Sequence, residues 1–218
     1  MALIQTTRIR VGSPATAVAA HLFGVIAVIL MLVWVFHYRG GIDLDSQDSE
    51  RVFNVHPFLM IFGFIFVIGE ALIAYKTIPA DHVGQKTCHS ILNLIAFIIG
   101  VIGIYAVFKY HDRAQISDMY TLHSWLGITT ICLFGLQWVF GFLSFWLPVT
   151  RGSARARIAP WHASFGVCIF VMAICTAEMG LAEKFIFSGL TGGNQANVIN
   201  ATGYMIFLFA VSVILTVV

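Results

Sequence analysis

Six long apolar runs separated by short polar stretches make up most of the chain: residues 15–36, 53–75, 88–108, 119–147, 160–181 and 198–218. Each meets the roughly 20 residues that an α-helix needs to cross about 30 Å of hydrocarbon. None alternates polar and apolar positions over about ten residues, as a transmembrane β-strand would. The pattern predicts an all-α integral membrane protein with six transmembrane helices. The connections are too short to hold a second domain, so residues 1–218 read as one transmembrane unit.

Polar residues inside these runs are few, and four histidines are placed alike. The second to fifth spans open with NVHPFLMIFGF, TCHSILNLIAF, YTLHSWLGITT and APWHASFGVCI, which puts His56, His89, His123 and His162 about one turn inside their helices. His21 and His37, at the two ends of the first span, have no counterpart in this pattern and read as interfacial or hydrogen-bonded residues. Glu70, near the end of the second span, is an intramembrane carboxylate and so a functional candidate. It also has Lys76 within reach as an ion-pair partner.

Composition agrees with the pattern. Hydrophobic residues make up 59% of the chain and charged residues 10%, with mean hydropathy +0.90, against about 25% charged in soluble domains. The four cysteines lie in apolar runs with no CxxC or CxxCH spacing, which argues against covalent haem attachment or a zinc knuckle. They read as buried packing residues. The run from Ala15 is longer than the core of a cleavable signal peptide, so it reads as a span.

Orientation follows from the basic residues. The N-terminus, the 2–3 loop and the 4–5 loop share one side and carry Arg8, Arg10, Lys76, Lys86, Arg151, Arg155 and Arg157. The other side has Arg39, Arg51, Lys109, Arg113 and Lys184. The RGSARAR cluster tips the balance towards cytoplasmic termini.

Neighbouring spans run in opposite directions, so spans 2 and 4 start on one face and spans 3 and 5 on the other. This places His56 with His123 and His89 with His162, the two pairs roughly 20 Å apart across the hydrocarbon. Facing histidines on bundled helices suit the axial positions of a haem iron. A closed zinc site needs four ligands, and neither pair has a nearby cysteine or carboxylate to complete one. His123 and His162 are each followed four residues later by glycine (Gly127 and Gly166), which leaves room on the same helix face for a flat macrocycle. Interhelical hydrogen bonding is the simpler alternative for any one of the four.

The histidine spacing, the YTLHSWLG stretch and the EALIAYK exit of the second span resemble the eukaryotic cytochrome b561 family, particularly its plant members, from the first span to the sixth. The resemblance implies a homodimer with two non-covalent b haems per chain. His56 and His123 would be the ligands on the non-cytoplasmic side, His89 and His162 those on the cytoplasmic side, with helices 2–5 as the haem-binding core. It further implies electron transfer from cytoplasmic ascorbate to monodehydroascorbate or ferric chelates beyond the membrane. Lys76, Lys86 and Arg155 match basic residues of the family by their spacing from the ligands, whereas His82 stands where relatives often carry lysine. Glu183 resembles a residue near the outer haem. The expected location is an endomembrane, vacuolar or vesicular, with the plasma membrane as the alternative.

The residues themselves suggest how such a protein would work. Lys76, Lys86, Arg155 and Arg157 would draw an anion such as ascorbate to the cytoplasmic mouth, with Lys86 acting in the reaction, although the same residues also satisfy topology and bind lipid headgroups. On the other face His111, beside Lys109, Arg113, Asp112 and Asp118, is the expected proton-exchanging residue where an acceptor docks. Tyr120 lies one turn from His123 towards the surface. Membrane lipid is an expected partner and nucleic acid is not. Two other functions fit six helices with buried histidines: a metal-ion or proton transporter, and a haem-b anchor subunit of a larger dehydrogenase. A transport path would need polar residues through the middle of the membrane, where this chain has IFGFIF and ILNLIAF.

Overall fold

The computed structural model describes residues 14–147 and 152–218. Arg8, Arg10 and Arg151, on which part of the orientation rests, lie outside them. Six helices among the described residues are long and apolar enough to cross a membrane: α1 (Pro14–Tyr38), α2 (Ser49–Thr77), α3 (His82–Ala114), α4 (Leu122–Phe145), α5 (Gly152–Phe187) and α6 (Asn194–Val217). Three of them start where a side chain caps the exposed N–H groups of the first turn. Asp48 accepts from the N–H of Glu50, Asp81 from Gly84 and Thr121 from Ser124. Helix α3 overruns its apolar stretch at both ends, because Asp81 starts it early and Gln115, in the left-handed conformation at φ 54°, stops it late. The turn that carries Arg155 and Arg157 is likewise helical and opens α5.

Helices α2, α3, α4 and α5 pack in sequence order around a common centre, and α5 closes the ring against α2. Helices α1 and α6 lie against each other along their length and cover α2 and α5 from one side. Aromatic rings fill the middle of the ring of helices. Phe64 meets Phe134 edge-on at 5.1 Å and Phe97 lies 6.4 Å from Phe134, while Phe170 meets Phe209 of α6 at 6.2 Å. Outward faces are apolar too: Ile91, Ile95, Ile98 and Ile102 line the exposed side of α3 at helical spacing, a surface that only lipid or another helix can cover. Cys132, Cys168 and Cys175 point outward as well. They are therefore not the buried packing residues expected from their apolar surroundings, since apolar neighbours on every side hide which face a residue takes.

Helix α2 is irregular. Pro57 has no N–H for the helical ladder, and two residues beyond it the helix widens into a π-helical segment, Leu59–Phe66. The loop between α1 and α2 is tied down by polar side chains. Buried Asn54 donates to the carbonyls of Arg39 and Gly41, and Glu50 accepts from both Arg39 and Lys184. Lys109 on α3 holds Asp45 at 2.7 Å, and Arg113 donates to the carbonyl of Ser46. These contacts fix the end of the bundle at which α2 and α4 begin.

Candidate functional site

The structure brings the four histidines together as two pairs at opposite ends of the ring of helices. The ring centres of His56 and His123 lie 6.1 Å apart, and those of His89 and His162 lie 6.5 Å apart. Two metal–nitrogen bonds of about 2 Å in line, plus roughly 1 Å from each nitrogen to its ring centre, require about 6 Å. Both pairs match that span.

Hydrogen bonds set the tautomer of three of the rings. His56 Nδ1 lies 3.0 Å from the Gly103 carbonyl, His89 Nδ1 2.8 Å from that of Ala71, and His123 Nδ1 2.8 Å from that of Thr176. A carbonyl only accepts, so each Nδ1 carries the proton and each Nε2 holds the lone pair, which at His89 accepts from the Asn93 side-chain amide at 3.4 Å. This is the arrangement a metal-ligating histidine needs, and the carbonyl also raises its donor strength. His162 differs, because its buried Nδ1 has no partner among the described residues. Its ring packs edge-on against Phe145 at 5.3 Å.

A cavity of about 400 Å³ opens beside the first pair, within the 300–1,000 Å³ usual for a cofactor site. His56 and His123 line it together with Gly127, Gly180, His111, Tyr120 and Glu183. Space for a flat ring comes from missing side chains. A Cβ on Gly180 would lie 2.6 Å from His123 Cε1, and one on Gly141 would lie 2.7 Å from His162 Cε1. Gly127 faces the cavity as its spacing suggests, but Gly166 instead looks towards Gln137. Among the described residues no group of three or more His, Cys, Asp or Glu side chains converges to hold a metal ion. Each pair therefore offers two imidazoles, and the first an adjoining cavity as well, a donor set that suits an iron already held in a macrocycle.

The cavity also gathers the predicted residues of that end. His111 and Tyr120 have ring centres 6.5 Å apart, and Asp118 holds His111 Nδ1 at 2.8 Å. At the other end Lys86 is already engaged: its Nζ lies 3.3 Å from the Phe145 carbonyl and 4.4 Å from the centre of the Trp146 ring. Arg155 donates to the Leu147 carbonyl at 3.0 Å, while Lys76 and Arg157 are exposed. Glu70 pairs with His21 rather than Lys76.

Sequence reasoning missed Tyr75, whose ring lies 5.5 Å from His89 and 5.6 Å from His82. It sits in the EALIAYK exit, and that membership is the one signal that could have singled it out. The reasoning also missed Lys184, which lines the cavity, bonds Glu50 and lies 4.1 Å from the centre of the Phe53 ring.

Known proteins resemble the chain over most of its length. The family model for eukaryotic cytochrome b561 matches residues 55–188. A probable ascorbate-specific transmembrane electron transporter of Oryza sativa subsp. japonica is 42% identical over 204 residues, covering 91% of this chain and 87% of the relative. A transmembrane ascorbate ferrireductase of Arabidopsis thaliana is 39% identical over 212 residues, covering 95% and 89%. A transmembrane ascorbate-dependent reductase of Bos taurus is 39% identical over 169 residues, covering 77% and 66%. With the family model matched across α2 to α5 and with relatives this close, the chain belongs to the eukaryotic cytochrome b561 family, a family of haem-binding membrane proteins.

Proposed function

We propose that this chain is a transmembrane oxidoreductase that passes electrons from ascorbate on the cytoplasmic side to monodehydroascorbate or a ferric chelate on the other. Two non-covalent b haems per chain are held by His56 with His123 and by His89 with His162. The observation that carries this reading is the pair of histidine spans, 6.1 and 6.5 Å, with three Nδ1 atoms already given to carbonyls. Each haem, when bound, supplies a one-electron carrier that cycles between ferric and ferrous iron.

The protein's own residues do the rest. Lys76, Lys86, Arg155 and Arg157 give the mouth near His89 and His162 a positive field that concentrates the ascorbate anion. Ascorbate gives up one electron there and releases its proton to the water of the mouth, leaving monodehydroascorbate. At the far end His111, oriented by Asp118, gives a proton to monodehydroascorbate as that acceptor takes the electron; a ferric chelate takes the electron alone. Tyr120 and Glu183 line the same opening. Between the two ends the buried side chains of Ile61, Phe64, Ile131, Phe134 and Phe170 exclude water and ions, so the path suits electrons and not a transported cation. Both termini face the cytoplasm, the working unit is a homodimer, and an endomembrane is the favoured location.

The test is the visible spectrum of the purified full chain before and after ascorbate, with haem counted per chain. Two b haems reduced by ascorbate are expected. Protein without haem after haem-replete expression overturns the reading, and haem that ascorbate does not reduce points to an anchor subunit.

A further inference from the structure

Three of the four histidine-bearing helices share a second regularity. On α3, the residue fourteen positions after His89 is Gly103, whose carbonyl takes the Nδ1–H of His56. On α5, the residue fourteen after His162 is Thr176, whose carbonyl takes that of His123. On α2 the step is fifteen, from His56 to Ala71, whose carbonyl takes that of His89. The additional residue falls where α2 is π-helical, and a π-turn absorbs one inserted residue while the flanking helix stays in phase. Each of these helices thus offers a ring at one end and a carbonyl about 21 Å further along.

Helix α4 has its ring, His123, and the residue fourteen positions on is Gln137. The facing helix α5 has the matching need, since His162 Nδ1 is buried without a partner among the described residues, a condition that folded interiors avoid. Two contacts already put Gln137 beside His162. Its side-chain Nε2 donates to the His162 carbonyl at 2.7 Å. Gly141, four residues beyond Gln137, presents bare backbone to the His162 ring just as Gly180, four residues beyond Thr176, does to His123. The distances from an added Cβ to Cε1 are 2.7 and 2.6 Å. Around His123, which meets Gly180 in the same way, the histidine–carbonyl bond is made.

We infer that the backbone carbonyl of Gln137 accepts the Nδ1–H of His162, which makes Gln137 the positioning residue of the fourth histidine. The bond completes a reciprocal set: each helix of an antiparallel pair orients the ring supplied by the other. It fixes the His162 tautomer with Nε2 free. Only its consequence for iron ligation rests on the proposed function.

An experimental structure of the haem-loaded full chain tests the inference directly. His162 Nδ1 is expected within about 3.2 Å of the Gln137 carbonyl oxygen. A separation beyond about 3.5 Å, or a different acceptor on Nδ1, overturns it while leaving the proposed function standing. A chain that binds no haem would overturn that function, and its haem-free structure would still decide the bond. Paramagnetic resonance of the two ferric sites adds a readout that folding alone does not move. Gly141→Ala pushes on the His162 ring and should shift one low-spin signal, Gly180→Ala should shift the other, and unchanged signals in Gly141→Ala would contradict the placement of His162 against α4.

Discussion

Glu70 on α2 takes the Nδ1–H of His21 on α1, with its two carboxylate oxygens 2.9 and 3.0 Å from that nitrogen. The pair joins two helices inside the membrane span and fastens α1 to the ring formed by α2 to α5. Pairs of this kind in membrane proteins contribute about 0.6 kcal/mol on average and about 1.7 at most, because the unfolded chain in a membrane also finds partners. A double-mutant cycle with His21→Ala and Glu70→Ala should give a coupling in that range when unfolding is followed in detergent or bilayer. A coupling of zero would show that the pair adds nothing to stability.

Lys86 divides two roles that a sequence cannot separate. It bridges the start of α3 to the end of α4 through the Phe145 carbonyl and the Trp146 ring, and it belongs to the basic group proposed above to draw in ascorbate. A charged hydrogen bond to the substrate anion is worth about 1.5–3 kcal/mol, which is roughly a ten- to hundredfold change. Lys86→Gln should therefore raise KM for ascorbate by at least about tenfold with kcat near that of the parent. Lower thermal stability with KM unchanged would assign the lysine to the helix–helix contact alone.

Haem content separates the two histidine pairs. His123→Ala removes one imidazole from the cavity site and should leave one haem per chain, bound at His89 and His162. His162→Ala should do the reverse. The haem-to-protein ratio after purification should fall by about half in each, with the residual spectra differing between the two variants. A ratio unchanged in both, or abolished in both, would mean that the two pairs are not independent haem sites.

The six helices were legible because a membrane demands long apolar runs and the chain has little else. The association of His56 with His123 and of His89 with His162 was legible for a related reason: antiparallel spans leave no other way to match rings at one depth. The carbonyls of Gly103, Ala71 and Thr176 were not legible, since every residue has a carbonyl and no side chain marks those that are used. Nor was the π-helical segment, because LMIFGFIF is as apolar in a wide helix as in a narrow one. Arg155 illustrates a different limit. Its spacing suggested an anion site, whereas its guanidinium also donates to the Leu147 carbonyl at the end of α4.

Acid should loosen the loop between α1 and α2 through Asp45. The hydrogen bond from Lys109, helped by the positive charges of Lys109 and Arg113, holds the Asp45 carboxyl below its ordinary value. A group depressed in the folded state adds stability that is complete above its unfolded pKa, about 3.9, and that is lost as pH falls through the lower folded value. Asp45→Asn should therefore be less stable than the parent at pH 7, and the difference should vanish under strong acid. Added salt should shrink the difference at pH 7, because Asp45 is exposed and salt screens exposed charges. A difference independent of pH would remove this ion pair as its cause.

The fifteen-residue step on α2 makes a sharper prediction about the wide turn. If Leu59–Phe66 contains one inserted residue, deleting one there should turn the segment into ordinary α-helix with the step of fourteen found on α3 and α5. Phe62 is a suitable residue to delete, because it is 38% exposed and lies outside the core. His56 and the Ala71 carbonyl should keep their relative orientation, and the deleted protein should retain both haems. The same operation on α3 has no wide turn to absorb it. Deleting Val101, an exposed residue between His89 and Gly103, rotates everything beyond it by about 100° and draws it along the axis by about 1.5 Å. The Gly103 carbonyl then turns away from His56, and haem at the His56–His123 site should be lost. Retention of haem in the first deletion and loss in the second would show that α2 carries a silent insertion, whereas loss in both would make the wide turn a required part of the site.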